Sequence, residues 1–318
     1  MAVANQHSAL KQLLLRGGKF VLLLLLLDIV VGWGLQKWYF SQSSGKYHRI
    51  THALHQTEAE ILFVGTSHAV RHFIPSIFSD SLGLSGYNLG ARGQHLYYCD
   101  AMMAAILERY TPRKIVINID RDLFYGEANF DKLSDLKPYY WNTPVLRPHI
   151  EQRGPMERFL LLSKLYTYNS SVVHLIRYSA KPQTDLNGYL PQYKTMPENY
   201  IPAAADTTGF DFQVGHSQLQ LLEQRLVQAQ AAGSELYFVI SPIISGDYIR
   251  NREIEKMAAR LQVPLWNYSR DSSLIGQNQY FGDEIHLNHA GAEIISKDLA
   301  HKIKNYSSPA KPVLNVNE

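Results

Sequence analysis

The stretch ILFV, from Ile61 to Val64, followed at once by GTSH, from Gly65 to His68, decides the fold of this chain. Four consecutive apolar residues are typical of a strand that a parallel sheet buries on both faces. The glycine that ends the run allows a tight turn, and a helical pattern follows it. The stretch therefore predicts a strand, a turn and a helix, which is the repeating unit of α/β proteins.

The same alternation returns along the chain. Apolar runs predict further strands at 86–90, 114–119, 236–240 and 263–267, and helical patterns lie at 94–110, 216–232, 249–261 and 289–304. Pro264 near the start of the last run favours an edge position for that strand, because proline cannot donate to a central ladder. The pattern predicts a flavodoxin-like, doubly wound parallel sheet covered on both faces.

The interval 120–212 interrupts this rhythm and is rich in tyrosine and proline. A connection of that length is unusual within a compact domain, so it predicts an insertion or lid. Tyr139-Tyr140-Trp141 in this interval either lines a groove for an acyl chain or a sugar, or packs the insertion onto the sheet. The expected organisation is an anchor and linker at 1–45, an α/β domain at 46–306 and a loose tail at 307–318.

Composition limits the possible functions. The chain has 318 residues, and its formal net charge of +3 is too weak and too scattered to indicate a nucleic-acid partner. Cys99 is the only cysteine, which excludes an intramolecular disulfide and a thiolate metal cluster. Neither a P-loop nor a dinucleotide-binding glycine motif follows any predicted strand, which argues against a nucleotide-binding protein of the doubly wound class.

The N-terminus has the pattern of a membrane anchor. Basic residues precede an apolar run from Phe20 to Leu35, and Trp33, Trp38, Tyr39 and Phe40 cluster at its far end. We predict an uncleaved, single-pass transmembrane helix in a cell inner membrane, with the α/β domain on the extracytoplasmic side. A cleaved signal peptide is the alternative, with Ser41-Gln42-Ser43 as a small-x-small substitute for its usual cleavage site. Asp28 within the run is either a polar contact between helices, a group facing a membrane partner, or a tolerated acid near the interface.

Three residues have the chemistry of a nucleophilic site. Ser67 follows the first strand, at the carboxyl edge where parallel sheets place their sites. Asp283 and His286 are three residues apart in a polar loop, so the acid can reach the imidazole and fix its tautomer. Two alternatives stay open: Ser67 as a helix N-cap, and Asp283, His286 and His289 as metal ligands.

Together these segments resemble the SGNH (GDSL-like) hydrolase superfamily. Gly65-Thr66-Ser67-His68 is similar to its first block, and Asn88-Leu89-Gly90 is similar to its second. Asp283-Glu284-Ile285-His286-Leu287-Asn288 is similar to its last block, which supplies the acid and the base. The resemblance extends from about residue 60 to residue 304.

The resemblance implies a serine nucleophile at Ser67, with Asp283 and His286 completing a triad and no metal or other cofactor. It also implies an oxyanion hole built from Ser67, Gly90 and Asn118. Two departures stand out: Thr66 replaces the usual aspartate before the serine, and no third block is recognisable, so Asn118 would stand in for its asparagine.

The resemblance extends to membrane-anchored relatives that transfer acyl groups to envelope glycans, and to anchored SGNH proteins of Bacteroidetes. It implies a membrane-tethered esterase or O-acyltransferase that acts on acyl esters, such as acetyl esters, of envelope polysaccharides or lipids. A membrane acyl-transport protein is an expected partner. The alternative is a catalytically degenerate SGNH fold that only binds a glycan or a membrane partner. His68 and Arg92 border the expected crevice and are either ligands for an anionic substrate or solvated loop residues.

Overall fold

The computed structural model of the chain describes residues 2–126, 130–206, 208 and 210–306. The predicted loose tail at 307–318 lies outside the described residues. Contacts divide the chain into two compact units. The first comprises Met1–His48 and Leu133–Gln183, and the second comprises Arg49–Lys132 and Thr184–Glu318.

The secondary structure alternates as expected in the second unit and is helical in the first. The strands are β1 (Ile61–Val64), β2 (Gly86–Asn88), β3 (Lys114–Asn118), β4 (Phe210–Asp211), β5 (Glu235–Ile240), β6 (Ile249–Arg250) and β7 (Leu265–Asn267). The α-helices are α1 (Ala2–Phe40), α2 (Gly45–His55), α3 (Ser67–His72), α4 (Pro75–Leu82), α5 (Leu96–Arg109), α6 (Arg147–Glu151), α7 (Glu157–Leu160), α8 (Lys164–Tyr168), α9 (Val172–Ala180), α10 (His216–Ala232), α11 (Arg252–Arg260) and α12 (His289–Asn305). Short 3-10 helices lie at Asp122–Phe124, Asp131–Tyr139, Pro144–Leu146, Asn169–Ser171 and Asn278–Tyr280.

The second unit is built around a five-stranded sheet in the order β2-β1-β3-β5-β7, with every neighbouring pair parallel. The predicted α/β class and parallel sheet are therefore confirmed. Among the strands of this sheet the order reads 2-1-3-4-5, which is the order of doubly wound sheets. The direction of winding reverses between β1 and β3, and sheets of this kind bind ligands outside the carboxyl ends of the strands at that point.

Helices cover both faces of the sheet. Ile61 and Phe63 of β1 belong to one hydrophobic core together with Phe73, which follows α3, and with Leu299 of α12. Successive strand residues point to opposite faces, so Val64 points the other way. It lines a small internal space with side chains of β3, α5 and α10. Both sides of β1 are buried, which explains its uninterrupted apolar sequence.

The edge position of the last strand is also confirmed. β7 begins at Leu265, one residue after Pro264, and pairs on one side only, with β5. The Pro264 carbonyl still accepts a hydrogen bond from the Phe238 amide. The proline thus contributes an acceptor to the sheet at a place where no second neighbour needs its missing amide donor.

The first unit packs the end of α1 against helices from residues 133–183. The Tyr39 side chain is buried and contacts the rings of Tyr139 and Tyr168, which are also buried. Of the predicted aromatic trio, Tyr139 and Tyr140 therefore serve packing within this unit, whereas Trp141 is half exposed.

Asp28 is a polar contact inside the first unit. Its carboxylate accepts hydrogen bonds from the Ser163 hydroxyl and from the amides of Lys164 and Leu165, at 3.0 and 3.1 Å for the two amides. Those amides belong to the first turn of α8, where backbone donors lack helical partners. Asp28 therefore caps α8 and ties it to α1. The alternative of a contact between helices is the one that the structure favours.

The apolar run of α1 is largely exposed, with each leucine from Leu22 to Leu27 about half accessible. Among the described residues, no helix combines the length and the apolar character needed to cross a bilayer.

Candidate active site

Ser67 stands at the first position of α3, directly after β1. Gly65 makes the turn with a φ of 148°, and a Cβ on it would lie 2.9 Å from the Ala69 Cβ. Thr66 is the N-cap residue of α3 and makes no side-chain cap bond. Ser67 therefore does not cap the helix, and that alternative is wrong.

A tight loop before α12 presents the acid and the base. A β-bridge joins Phe281 to Leu287, and the Gly282 amide donates to the His286 carbonyl at 2.9 Å. Both bridge residues are fully buried and fix the loop in the hydrophobic core. Asp283 and His286 project from the closed turn between them, as the three-residue spacing predicts.

The structure brings the three predicted catalytic residues together. The Ser67 Oγ lies 2.7 Å from the His286 Nε2, and the His286 Nδ1 lies 2.8 Å from Oδ1 and 3.0 Å from Oδ2 of Asp283. Because a carboxylate accepts, Nδ1 carries the proton, and Nε2 accepts from the serine hydroxyl. This is the arrangement of a nucleophile, its base and the acid that orients the base.

The loop keeps Asp283 ionised. Partial burial raises the pKa of this carboxyl, but hydrogen bonding to His286 and to Gln192 outweighs it and lowers the pKa well below its usual range. The amides of Ile285 and His286 also donate to the same carboxylate, at 3.2 and 2.9 Å. Asp283 is therefore a fixed negative charge beside the imidazole at neutral pH.

His286 is held neutral by opposing effects. Burial lowers its pKa, the hydrogen bond to Asp283 raises it, and the charge of His68 lowers it again, with a net lowering. A base must be unprotonated to accept a proton from serine, so this lowering extends the active form to lower pH.

A second histidine, His68, lies beside His286, and its ring is positively charged. Its Nδ1 lies 3.1 Å from the Asp120 Oδ2 and its Nε2 lies 2.8 Å from the Ile285 carbonyl oxygen. Both partners accept hydrogen bonds, so both ring nitrogens carry protons. Burial opposes this charge, but Asp120 outweighs burial and raises the pKa of His68. The predicted alternatives for His68, an anion ligand or a solvated residue, are both wrong because the ring is buried and engaged.

His72 lies one helical turn further and holds the other side of the loop. Its Nε2 accepts from the Leu287 amide at 3.0 Å, so its proton resides on Nδ1. Burial and the charge of His68 hold its pKa well below the usual value. His68 and His72 thus bind the carbonyl before His286 and the amide after it, and they fix the backbone that carries the base.

Asp120 is the centre of the polar network at the carboxyl end of β3. Besides His68, it accepts from the Thr66 hydroxyl at 2.7 Å, from the Asn118 Nδ2 at 2.8 Å and from the Leu123 amide at 2.7 Å. Burial raises the pKa of this carboxyl, but the hydrogen bond and charge of His68 lower it overall. The network joins the turn after β1 to the turn after β3.

Two of the predicted oxyanion donors are already engaged. The Gly90 amide donates to the Asn88 Oδ1 at 2.9 Å, and the Asn118 amide nitrogen donates to Asp120. The Asn118 Oδ1 accepts from the Ser241 hydroxyl. Neither group is free to bind an oxyanion as placed, which corrects that part of the prediction. Ser67 remains, because a backbone amide at the first position of a helix has no helical acceptor.

The metal alternative is not supported. His289 points to Tyr189, whose hydroxyl lies 3.0 Å from its Nδ1, and its Nε2 lies 3.5 Å from Glu293. Within the described ranges, no group of three or more histidine, cysteine, aspartate or glutamate residues is arranged to hold a metal ion.

Several residues of the site escaped the sequence analysis. Asp120, His72 and Gln192 have no motif of their own, since each acts on a partner distant in sequence. One signal was available: His68 and His72 are four residues apart, so they share a face of the helix that Ser67 begins.

Comparisons with protein families and with curated proteins identified no relative of this chain. No protein-family model matches the chain, and no curated protein matches it significantly.

Proposed function

We propose that this protein is a serine esterase or O-acyltransferase of the SGNH type, with Ser67 as nucleophile. The observation that carries the proposal is the continuous hydrogen-bonded line from the Ser67 Oγ through His286 to Asp283. Its position at the reversal point of the sheet, where such folds bind ligands, also supports it.

In the proposed reaction the Ser67 Oγ attacks the carbonyl carbon of an acyl ester while His286 takes the hydroxyl proton. The ester C–O bond then breaks, and His286 returns the proton to the leaving alcohol. Water or a sugar hydroxyl attacks the acyl-serine, His286 takes its proton, and Ser67 regains the proton as the acyl group leaves. Asp283 stabilises the imidazolium formed in each half-reaction.

The test is labelling with a neutral fluorophosphonate, which reacts with activated serines. We expect the full chain to label, and Ser67→Ala and His286→Ala to lose labelling while remaining folded by circular dichroism. Ser76→Ala, an exposed serine on α4, is the matched control and should label like the wild type. Equal labelling of the Ser67→Ala chain would refute the assignment.

We further propose that the substrates are acyl esters of cell-envelope glycans or lipids and that the protein acts at the cell inner membrane, with a membrane acyl-transport protein as partner. The exposed leucines of α1 support a lipid-facing role for this helix. Cell fractionation with carbonate extraction tests the location. Recovery of the chain in the soluble fraction, and equally after Leu24→Gln and Leu26→Gln, would refute it.

One observation favours a second candidate, a binding module without turnover. Gly90 and Asn118 are engaged elsewhere, and loss of one oxyanion donor typically lowers kcat on the order of a hundredfold or more. A folded wild-type chain that resists labelling over hours would favour this candidate.

A further inference from the structure

The site contains two arginines that the proposed chemistry does not use. Arg71 lies on α3, one helical turn after Ser67, and Arg92 lies in the loop that follows Gly90. The two elements are in contact, because a Cβ on Gly90 would lie 2.3 Å from the Val70 amide nitrogen. Arg71 and Arg92 therefore lie on neighbouring elements, and each side chain is close enough to act electrostatically on the other.

Arg71 lacks the compensation that a buried cation normally has. Its Nε is buried and has no hydrogen-bond partner among the described residues. The carboxylate that acts on it electrostatically is that of Asp283, whose oxygens are engaged by His286 and Gln192. Leaving a guanidinium partly buried without an anion is costly, and a bound anion would offset that cost.

Arg92 reinforces the positive charge. Its side chain is exposed, and it acts repulsively on Arg71. Lys132 adds a third cation, with its Nζ 3.9 Å from the position that a Cβ on Gly93 would occupy. Like charges gathered in one place raise the local concentration of an oppositely charged ligand.

We propose that Arg71 and Arg92 bind an anionic group, a carboxylate or a phosphate, on the substrate whose ester Ser67 attacks. The inference deepens the proposed function and rests on it, because the bound anion belongs to a substrate only if Ser67 is the nucleophile. A guanidinium fork matches the oxygens of either anion in a bidentate manner. The substrate class is therefore an acyl ester of an acidic alcohol, such as a uronic acid unit or a phosphorylated unit.

The experiment measures binding, which needs no turnover. The full-length Ser67→Ala chain, in a non-ionic detergent at pH 8, is titrated with 3-acetoxybenzoate and with its neutral methyl ester, and ligand-observed NMR gives each Kd. A second arm uses 3-acetoxyphenyl phosphate to separate the phosphate source from the carboxylate source. We expect at least one anion to bind about tenfold or more tightly than the methyl ester, as for the gain of a charge-assisted hydrogen bond.

Variants in the Ser67→Ala background identify the arginines. Arg71→Gln and Arg92→Gln should each reduce the preference for the anion, and Arg71→Lys should restore part of it. Arg113→Gln, which removes the same charge at the amino end of β3, should leave the preference unchanged. Equal binding of the anions and the methyl ester, or a preference that survives both glutamine variants, overturns the proposal.

The outcome is separable from the proposed function. Failure of the wild-type chain to label at Ser67 refutes the esterase, while the binding preference still reports on the anion site. Normal labelling without any anion preference refutes the anion site alone. A fall in the labelling rate by the neutral fluorophosphonate in Arg71→Gln, without a change in anion binding, would instead assign Arg71 to the oxyanion and overturn the proposal.

Discussion

Replacing His68 with glutamine should change the pH at which the site becomes active. The His68 ring centroid lies 5.2 Å from that of His286, and its positive charge opposes protonation of the base. At that separation two unit charges interact by about 0.8 kcal/mol at the permittivity of water and about 3 kcal/mol at an effective value of 20. At 1.36 kcal/mol per pH unit, this corresponds to about 0.6 to 2.3 units.

The direction of the shift follows from the sign of the charge. His286 accepts a proton only when neutral, and the charged His68 lowers its pKa, so the wild-type site stays active to lower pH. Glutamine carries no charge, and Asp120 then lacks its cation, so both changes raise the pKa of His286. The acidic limb of the pH profile should therefore move to higher pH by at least about half a unit.

The assay is the second-order rate of fluorophosphonate labelling between about pH 4.5 and pH 9, with circular dichroism at each pH to confirm folding. His301→Gln is the matched control, because that histidine is exposed on α12 and hydrogen-bonds Asn305 of the same helix. An acidic limb in His68→Gln that stays in place, or moves to lower pH, would refute the reasoning.

Three further predictions concern single contacts. Asp283→Asn should lower the labelling rate on the order of a thousandfold or more, measured at pH 8, because the amide no longer fixes the His286 tautomer. Asn88→Ala should reduce the free energy of unfolding in urea by about 1–3 kcal/mol for each buried partner left unpaired, since its side chain bonds three backbone groups. Asp28→Ala should lower the thermal stability of the first unit by about 0.5–2 kcal/mol through loss of the α8 cap, whereas Asp80→Ala, at an exposed position on α4, should have little effect.

The fold and the triad were predictable because both depend on local sequence. A strand that is buried on both faces is apolar throughout, so the run from Ile61 to Val64 is sufficient to predict β1. Asp283 and His286 share one turn, and their contact follows from a spacing of three residues. Ser67 was placed by the strand it follows, since parallel strands end at the same edge of a sheet.

The rest of the site could not be predicted, because its hydrogen bonds join residues that no local sequence pattern brings together. Asp120 and His68 are 52 residues apart, and nothing local shows that they meet or that the ring is charged. Gly90 is engaged because its amide donates to the Asn88 Oδ1, while the Asn88 Nδ2 is held by the carbonyls of Ala69 and Phe73, which are 19 and 15 residues away. A motif fixes which residues are present, whereas the choice of hydrogen-bond partner is settled by packing.

The first unit is made from two pieces of chain that are synthesised far apart in time. Residues 1–48 are made before residues 133–183, which follow the first three strands of the sheet and supply two aromatic partners of Tyr39, namely Tyr139 and Tyr168. Tyr39 therefore cannot form its contacts with Tyr139 and Tyr168 until the later piece has been made. A shortened chain that begins after α1 would expose Tyr139 and Tyr168, so cutting away the N-terminus removes part of a hydrophobic core and not merely a tether.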